Sequence, residues 1–302
     1  MIPVYNCIGY LEETLNSVLS RALGPEYMQI AVIDDRSTDG DVQGLVERVG
    51  KNRIEYFQQP TNVGSLRNFE TCLNHSTGHW VHLLHGDDRV LPGFYAEIEA
   101  LFAAYPEAGA AFTNWHQDND ADTTETQGLE PGIIKDFLIQ NAQRLLVQPP
   151  AIVVKRAVYE KVGGFFAVYY GEDWEMWTRI AVHFPIAYSP KKLAYYRYMG
   201  KNSITQRAIA TGQNAADIIK VIDIIQQYLP PDQRQQVKRI ARFYYAIYCA
   251  DLSYSLAPTN LRSAILQAKG ALKLSHNSKV FTLLLKYLTR HITKVLTGRR
   301  LS

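Results

Sequence analysis

The sequence predicts an α/β fold in which a mostly parallel central sheet is followed by a helical C-terminal region. Up to about residue 115, short apolar segments alternate with amphipathic ones, as in successive βαβ units. Beyond Arg207 the apolar residues recur with helical spacing. The charge divides at the same place, because residues 1–206 carry 17 Lys and Arg against 25 Asp and Glu, whereas residues 207–302 carry 15 against 4. This split predicts two regions with different partners.

The elements of the first region follow from periodicity and turn residues. A helix over residues 10–22 has Leu11, Leu15 and Val18 on one face. The other predicted elements are strands over 29–35, 54–60, 80–88 and 108–115 and helices over 65–75 and 92–106. Residues 117–132 are polar, acidic and without periodicity, which predicts a long surface loop.

Four amphipathic segments predict the helices of the second region, over residues 215–229, 236–256, 260–274 and 280–296. Residues 279–302 are basic and amphipathic, which is typical of segments that bind an anionic membrane surface. The alternative is a helix that packs on the protein with a solvated basic face. Binding to nucleic acid is not expected, because no stacking platform or readout motif accompanies the charge.

Composition indicates a globular protein, with 47% hydrophobic and 20% charged residues. No apolar run reaches the 18 residues of a transmembrane helix, and we see no signal peptide. Cys7, Cys72 and Cys249 are far apart, which predicts reduced thiols in a cytoplasmic protein and argues against a cysteine zinc site.

Two acidic pairs, Asp34–Asp35 and Asp87–Asp88, follow predicted strands. In open α/β sheets, ligands bind beyond the carboxyl ends of the strands, so the pairs are expected to share one crevice. Adjacent carboxylates repel, and a cation, hydrogen-bond donors or a bound proton must relieve the repulsion. The alternative for Asp87–Asp88 is a capping turn before a helix that begins near Pro92.

Five stretches together resemble family 2 inverting glycosyltransferases, which have the GT-A fold. They are "IPVYN" (2–6), "VIDDRSTDGD" (32–41), "NVGSLRNFETCLNHSTGHWV" (62–81), "LLHGDDRVLPG" (83–93) and "GEDWEMWTRIA" (171–181). The resemblance covers residues 2–205. It implies a GT-A catalytic domain over 1–206, with a nucleotide-binding half over about 1–115 and an acceptor half over about 116–206, followed by the basic helical region 207–302.

The resemblance also implies a nucleotide and metal site. Asp88 would bind Mn²⁺ or Mg²⁺, and Asp87 would bind the ribose, or the metal through water. Asp35 would accept a hydrogen bond from N3–H of uracil, while Asp34 would support the turn or reach the ribose. The other implied contacts to the nucleotide come from Pro3, Tyr5 and Arg67. For Tyr5 and Arg67, a core tyrosine and a solvated helix arginine are the alternatives.

For catalysis, the resemblance implies that Asp173 is the general base of a single displacement. Glu172, Trp174 and Trp177 would line the acceptor or sugar pocket, and Arg197 would neutralise the pyrophosphate from a closing loop. The alternative for the acidic residues is complementation of the dipole of a helix N-terminus.

The chain departs from the family pattern in three places. Only Met1 and Ile2 precede Pro3, where members usually have a full apolar strand, so either the start is truncated or the first strand is short. Gly86 stands where many members have a third carboxylate, and Met199 where many have a histidine. Four histidines precede the acidic pair: His75, His79, His82 and His85. Because His79 and His85 lack the i, i+4 spacing of a helical zinc motif and a strand separates them, the four are interpreted as sheet and loop residues.

These features predict a metal-dependent inverting glycosyltransferase that uses a nucleotide-sugar, most simply a UDP-sugar. Its acceptor would be a glycan or lipid-linked glycan of the cell envelope or of a polysaccharide. We expect a cytoplasmic location, peripheral to the membrane if the basic segment binds lipid. The alternatives are a non-catalytic relative that binds nucleotide or membrane, and a sugar nucleotidyltransferase. A sugar nucleotidyltransferase lacks support because residues 2–15 contain no glycine-rich phosphate loop.

Overall fold

The computed structural model describes residues 1–118, 126–198 and 203–297, with side chains as far as residue 289. The chain forms two compact units. The first consists of Met1–Leu138, Leu145–Ala167 and Met176–Asn202. The second consists of Ile139–Arg144, Val168–Glu175 and the chain from Ser203 onward. The domain boundary predicted at residue 206 stays a prediction.

The first unit begins with a parallel sheet of β1 (Ile2–Val4), β2 (Ala31–Asp34) and β3 (Glu55–Gln58) in the order β1-β2-β3. The intervening helices are α1 (Ile8–Leu19), α2 (Val42–Gly50) and α3 (Ser65–His75). On α1, Leu11, Leu15 and Val18 are buried, as their spacing predicts. This alternation confirms the predicted βαβ pattern.

A second sheet, also in the first unit, is mixed. Its strands are β4 (Trp80–Val81), β5 (Arg89–Val90), β6 (Ala110–Gln117), β7 (Gly132–Ile133), β8 (Ile152–Lys155) and β9 (Ile186–Tyr196). They run in the order β4-β8-β6-β9-β5, with β7 also on β9, and β6 and β9 are parallel neighbours. The helices along this part of the chain are α4 (Phe94–Ala104), α5 (Phe137–Gln143), α6 (Arg156–Val162) and α7 (Glu172–Ala181).

The strand predicted over residues 80–88 ends at Val81. The chain then runs beside β1, with Leu84 N donating to Met1 O and Gly86 N donating to Pro3 O. A turn closed by Asp88 N and His85 O ends this stretch. The acidic pair therefore lies in a turn beside the parallel sheet, and not at the end of a strand as the sequence predicts.

The loop predicted over residues 117–132 is only partly within the described chain. Residues 119–125 lie outside it. Residues 127–131 lie outside any helix or strand and are mostly exposed, as predicted, whereas Thr126 is buried and Gly132 pairs with Tyr188 as part of β7.

The second unit contains α8 (Ile204–Thr211), α9 (Gln213–Ile225), α10 (Arg234–Leu256), α11 (Leu261–Leu274) and α12 (Ser278–Thr297). The four helices predicted from periodicity correspond to α9–α12. Asn214 and Gln267 are both buried and exchange hydrogen bonds of 3.1 and 2.8 Å, which satisfies their amides. Among the described residues, no helix has both the length and the apolar character to cross a membrane.

Candidate functional site

The loops that follow β1 and β2 are joined by hydrogen bonds. Asn6 N donates to Ser37 Oγ at 3.0 Å, and Asn6 Oδ1 accepts from Thr38 N at 2.7 Å. Ile8 N donates to Asp39 Oδ2 at 2.9 Å. Asn6 has a φ of 51°, a left-handed conformation that asparagine tolerates better than most residues. These bonds fix the two loops to each other at the carboxyl end of the parallel sheet.

Asp34 supports the turn after β2. Its carboxylate is buried, and Oδ1 accepts from both N and Oγ of Ser37, at 2.9 and 2.6 Å. Oδ2 accepts from Tyr56 Oη at 2.9 Å and from Gln58 Nε2 at 3.0 Å. With two donors on each oxygen, the geometry favours the structural role of Asp34 over a contact with the ribose.

Asp35 holds the loop that leads into α3. Its carboxylate accepts from the backbone N of Val63 and Gly64, at 2.6 and 2.9 Å, and from Asn62 Nδ2 at 3.0 Å. Burial raises the pKa of Asp35, and the two backbone donors oppose that rise. The contact of Asp35 with uracil stays a prediction.

Asp88 is the most constrained carboxylate of the second acidic pair. It is buried, and its Oδ1 accepts from Arg197 N at 2.8 Å. Its Oδ2 has no hydrogen-bond partner in the described part of the chain. Thr14 Oγ1 donates to the carbonyls of Gly86 and Asp88 and so fixes the turn. Burial raises the pKa of Asp88 well above its usual range, and the neighbouring charge of Asp87 adds to the rise.

Three side chains converge here and form what we call the ligand cluster: His85, Asp87 and Asp88. Each offers one ligand atom, and these atoms all lie within 4.8 Å of one another. A buried carboxylate oxygen without a donor costs free energy that a cation would offset. The cluster therefore fits a divalent metal ion. His85 lies in a loop, as the sequence predicts, and its place beside the acidic pair makes it a candidate ligand that the spacing of the histidines did not indicate.

Gly86 has no room for the third carboxylate that the family pattern led us to expect. A Cβ there would lie 2.7 Å from Cys7 Sγ and 2.9 Å from Val4 Cγ2. The third candidate ligand of this turn is instead the imidazole of His85, whose ring stacks on Phe69 with centroids 5.2 Å apart.

Arg197 lies against the acidic pair. Its Nε donates to the carbonyl of Asp87 at 2.8 Å, and a terminal nitrogen pairs with Glu13 Oε2 at 2.6 Å. The guanidinium also stands over the ring of Tyr10, 4.5 Å from its centroid. Glu13 and Tyr10 of α1 thus fix the cation of Arg197 beside the ligand cluster. No motif in the sequence indicated these two residues.

The remaining predicted nucleotide contacts lie on the first unit. Pro3 is buried in β1, and Arg67 is exposed on α3. Tyr5 is 39% exposed directly after β1, which excludes the alternative that it is a core residue. Their contacts with a nucleotide stay predictions.

In the second unit, the start of α7 holds two carboxyl groups of different character. Glu172 is buried, and burial raises its pKa well above the usual range, with Asp173 and Asp217 adding to the rise. Asp173 is half-buried, and burial raises its pKa to about 6. The backbone N–H of Trp174 donates a hydrogen bond of 2.7 Å to the Asp173 carboxylate and opposes this rise. With a pKa of about 6, Asp173 is mostly ionised at neutral pH.

Trp174 and Trp177 are both buried, each in its own unit. The indole N–H of Trp174 donates to Asn141 O at 2.5 Å, and its ring lies 4.7 Å from that of Tyr245. The ring of Trp177 meets Phe165 edge to face. Both rings are thus packed in the interior instead of lining open space, and a role as a pocket wall stays a prediction.

A parallel sheet whose carboxyl end carries an acidic cluster fit for a divalent cation defines a transferase of the nucleotide-diphospho-sugar type, with the GT-A fold. Residues 1–163 match the model of Glycosyl transferase family 2. The chain belongs to this family of glycosyltransferases.

Solved structures show the same fold. TarS of S. aureus in complex with UDP-GlcNAc superposes with a TM-score of 0.65 at 14% identity, over 96% of this chain and 79% of that one. The mannosyltransferase PcManGT of Pyrobaculum calidifontis, in complex with GDP-Man and Mn²⁺, gives a TM-score of 0.58 at 20% identity, over 99% and 86% of the two chains.

Two sequence relatives extend the comparison. An uncharacterised protein of Mycobacterium tuberculosis is 26% identical over 237 residues, which is 73% of each chain. The minor teichoic acid biosynthesis protein GgaB of Bacillus subtilis is 26% identical over 105 residues, or 34% of this chain. The match covers only 11% of GgaB, so it compares one segment of that longer protein.

The contact between Gly86 and Cys7 predicts a specific packing defect. We expect Gly86→Ala to lower the free energy of unfolding by about 1–3 kcal/mol, because the new methyl group overpacks the turn. Adding Cys7→Ala should recover part of the loss by removing Sγ. Urea denaturation measures both effects. Gly9→Ala, where a Cβ meets nothing within 4 Å, is the control, and a Gly86→Ala variant as stable as this control would contradict the packing.

Proposed function

We propose that this protein is a metal-dependent inverting glycosyltransferase that transfers a sugar from a UDP-sugar to a glycan or lipid-linked glycan of the cell envelope. The buried Oδ2 of Asp88 carries the proposal, because the described residues leave it without a donor beside two further ligand atoms. The complexes of TarS with UDP-GlcNAc and of PcManGT with GDP-Man and Mn²⁺ support the donor class and the metal. The name of GgaB supports the envelope acceptor.

In this proposal Asp88, Asp87 and His85 hold Mn²⁺ or Mg²⁺. When bound, the cation would neutralise the charge of the departing nucleoside diphosphate. Carboxylates suit either ion, whereas an imidazole nitrogen favours Mn²⁺ over Mg²⁺. Arg197, held by Glu13 at 2.6 Å, brings a second positive charge for the diphosphate. Asp35, Pro3, Tyr5 and Arg67 would bind the nucleoside and phosphates.

Asp173 acts as the general base. It takes the proton of the acceptor hydroxyl while that oxygen forms a bond to the anomeric carbon and the bond to the diphosphate breaks, which inverts the configuration in one displacement. A pKa of about 6 suits this task, because the carboxylate is ionised at neutral pH and more basic than an ordinary aspartate. Burial raises the pKa of the neighbouring Glu172, which disfavours a second negative charge beside the base.

Nucleotide binding tests the metal site. We expect UDP with Mn²⁺ to stabilise the protein by about 2.7 kcal/mol at 100 times its Kd, and GDP or TDP to do so less. Asp88→Asn should abolish the Mn²⁺-dependent part of this stabilisation. His85→Ala should weaken the binding of Mn²⁺ more than the binding of Mg²⁺. Thermal unfolding with each nucleotide, with and without metal, measures this.

Asp41→Asn provides the control for that experiment. Asp41 is an exposed acidic residue that caps α2, and asparagine caps equally well. The Asp41→Asn variant should respond to Mn²⁺ and UDP as the wild type does. A wild type that no nucleotide stabilises would contradict the proposal and favour the non-catalytic alternative.

The assignment of Asp173 predicts a pH profile. Because the base must be unprotonated, release of UDP from UDP-sugars, with water or glycan as acceptor, should rise with pH through about 6 and level off above it. Asp173→Asn should lower kcat by about 10²–10⁴-fold and leave the Mn²⁺–UDP thermal shift intact. Full activity of Asp173→Asn would rule out this base.

We further propose that α12 binds an anionic membrane. Part of α12 packs on the protein, since Val280 is buried and Tyr287 stacks on Tyr254 with ring centroids 4.3 Å apart. Phe281, Leu285 and Leu288 are exposed, at spacings of four and three residues. The net charge of +11 over residues 207–302 complements an anionic lipid surface. Side chains from residue 290 onward lie outside the described residues.

Vesicle sedimentation tests this surface. The protein should bind vesicles that contain phosphatidylglycerol, bind neutral phosphatidylcholine vesicles weakly, and dissociate at high salt. Replacing Phe281 and Leu285 by serine should reduce binding about tenfold or more. Leu23→Ser removes an equally exposed leucine (53%, against 55% for Leu288) and should have no effect. Equal binding by all variants would contradict a role for α12.

A further inference from the structure

The segment that leads to the candidate base has no regular secondary structure, and the second unit holds it by its backbone. Residues 168–171 precede α7, and Gly171 has a φ of 85°. Tyr169 N and Tyr170 N both donate to Oδ2 of Asp217, at 3.3 and 3.2 Å. Asp217 lies on α9, one helical turn after Gln213. One carboxylate oxygen therefore receives two consecutive peptide N–H groups just before α7 begins.

Other contacts fasten the same segment within this unit. The hydroxyl groups of Tyr170 and Tyr248 are 3.0 Å apart, and Tyr228 donates to Glu175 Oε1 at 2.5 Å. A Cβ at Gly171 would lie 3.6 Å from Val221 of α9. Backbone before the base and side chains after it are thus both held by the helical region.

Asp217 is itself a buried acidic residue. Its Oδ1 accepts from Gln213 Nε2 at 2.7 Å, so both oxygens are used. Its charge also contributes to the raised pKa of Glu172. A buried carboxylate costs free energy unless it is hydrogen-bonded. Asp217 accepts two of its hydrogen bonds from the segment that leads to Asp173.

We propose that Asp217 is a positioning residue for transfer: it holds the peptide groups of Tyr169 and Tyr170 and thereby sets the place of the Asp173 carboxylate. This inference rests on the proposed function of Asp173. Misplacing a base by about 1 Å can cost about 100-fold in rate, without a comparable loss of donor binding. The helical region would then contribute to catalysis, whatever it contributes at the membrane.

Two measurements on Asp217→Asn test the inference. Amide hydrogen exchange of peptides covering residues 168–172 should become at least tenfold faster, with peptides of the parallel sheet unchanged. Release of UDP from UDP-GlcNAc with Mn²⁺ should show kcat lowered ten- to hundredfold and KM for UDP-GlcNAc within twofold. Asp223→Asn is the matched control, since Asp223 is on the same helix and pairs with Lys238 at the surface at 2.7 Å. It should match the wild type in both measurements.

The outcomes separate this inference from the proposed function. If Asp173→Asn is inactive while Asp217→Asn keeps wild-type kcat and exchange, the function stands and the inference is wrong. A loss of protection across the whole chain, with KM and kcat changed together, would assign Asp217 a general structural role instead and overturn the inference.

If Asp173→Asn keeps full turnover, both the base and its positioning are wrong. If the wild type releases no UDP, the proposed donor is wrong, and exchange alone decides whether Asp217 holds the segment. Should Asp217→Asn fail to fold, Tyr228→Phe keeps the ring and removes the hydroxyl bonded to Glu175. It should lower kcat at constant KM, and an unchanged kcat would count against the inference.

Discussion

The buried carboxylate of Asp88 is the interaction around which the candidate site is built. One oxygen accepts the backbone N–H of Arg197, and the other has no donor among the described residues. A group in this state costs stability, since burial disfavours its charge and Asp87 repels it. Such a cost persists where function needs it and the surrounding structure enforces it. Here Thr14 enforces the turn, and Gly86, packed against Cys7, leaves no space for the turn to relax.

The first two acidic pairs resolve the repulsion of adjacent carboxylates in different ways. Asp34 and Asp35 accept hydrogen bonds from donors in the strands and loops around them, which hold both carboxyl groups in place. Asp87 and Asp88 receive few donors, and with His85 they form a cluster suited to a cation. Adjacent aspartates therefore hold the loops together in the first pair and form a candidate ligand set in the second. The difference is the number of hydrogen-bond donors around each pair.

Much of this could be predicted from the sequence. Apolar periodicity located α1, α3, α4 and α9–α12, because the burial of one helix face sets the spacing of the apolar residues. The family motifs located Asp88 and Arg197, which the structure brings together. Three features escaped prediction: the mixed second sheet, the ligand position of His85 and the contacts of Glu13. Each depends on residues distant in sequence, and neither local propensity nor spacing encodes which distant segments meet. The burial of Trp174 and Trp177 belongs to the same class, because a tryptophan at helical spacing suits a core and a pocket equally well.

Glu172 and Asp173 form a third acidic pair, and burial separates their pKa values. Burial and the charges of Asp173 and Asp217 raise the pKa of Glu172 well above its usual range, whereas the pKa of the half-buried Asp173 is about 6. Two neighbouring carboxyl groups with separated pKa values are suited to one proton acceptor and one neutral neighbour. Asp217 raises the pKa of Glu172 through its charge and also accepts the N–H groups of Tyr169 and Tyr170 just before α7. If Asp217 positions the candidate base as proposed, that position depends on α9, which lies in the part of the chain beyond the family match to residues 1–163. Variation in that region would then alter catalysis without changing any residue of the nucleotide-binding sheet.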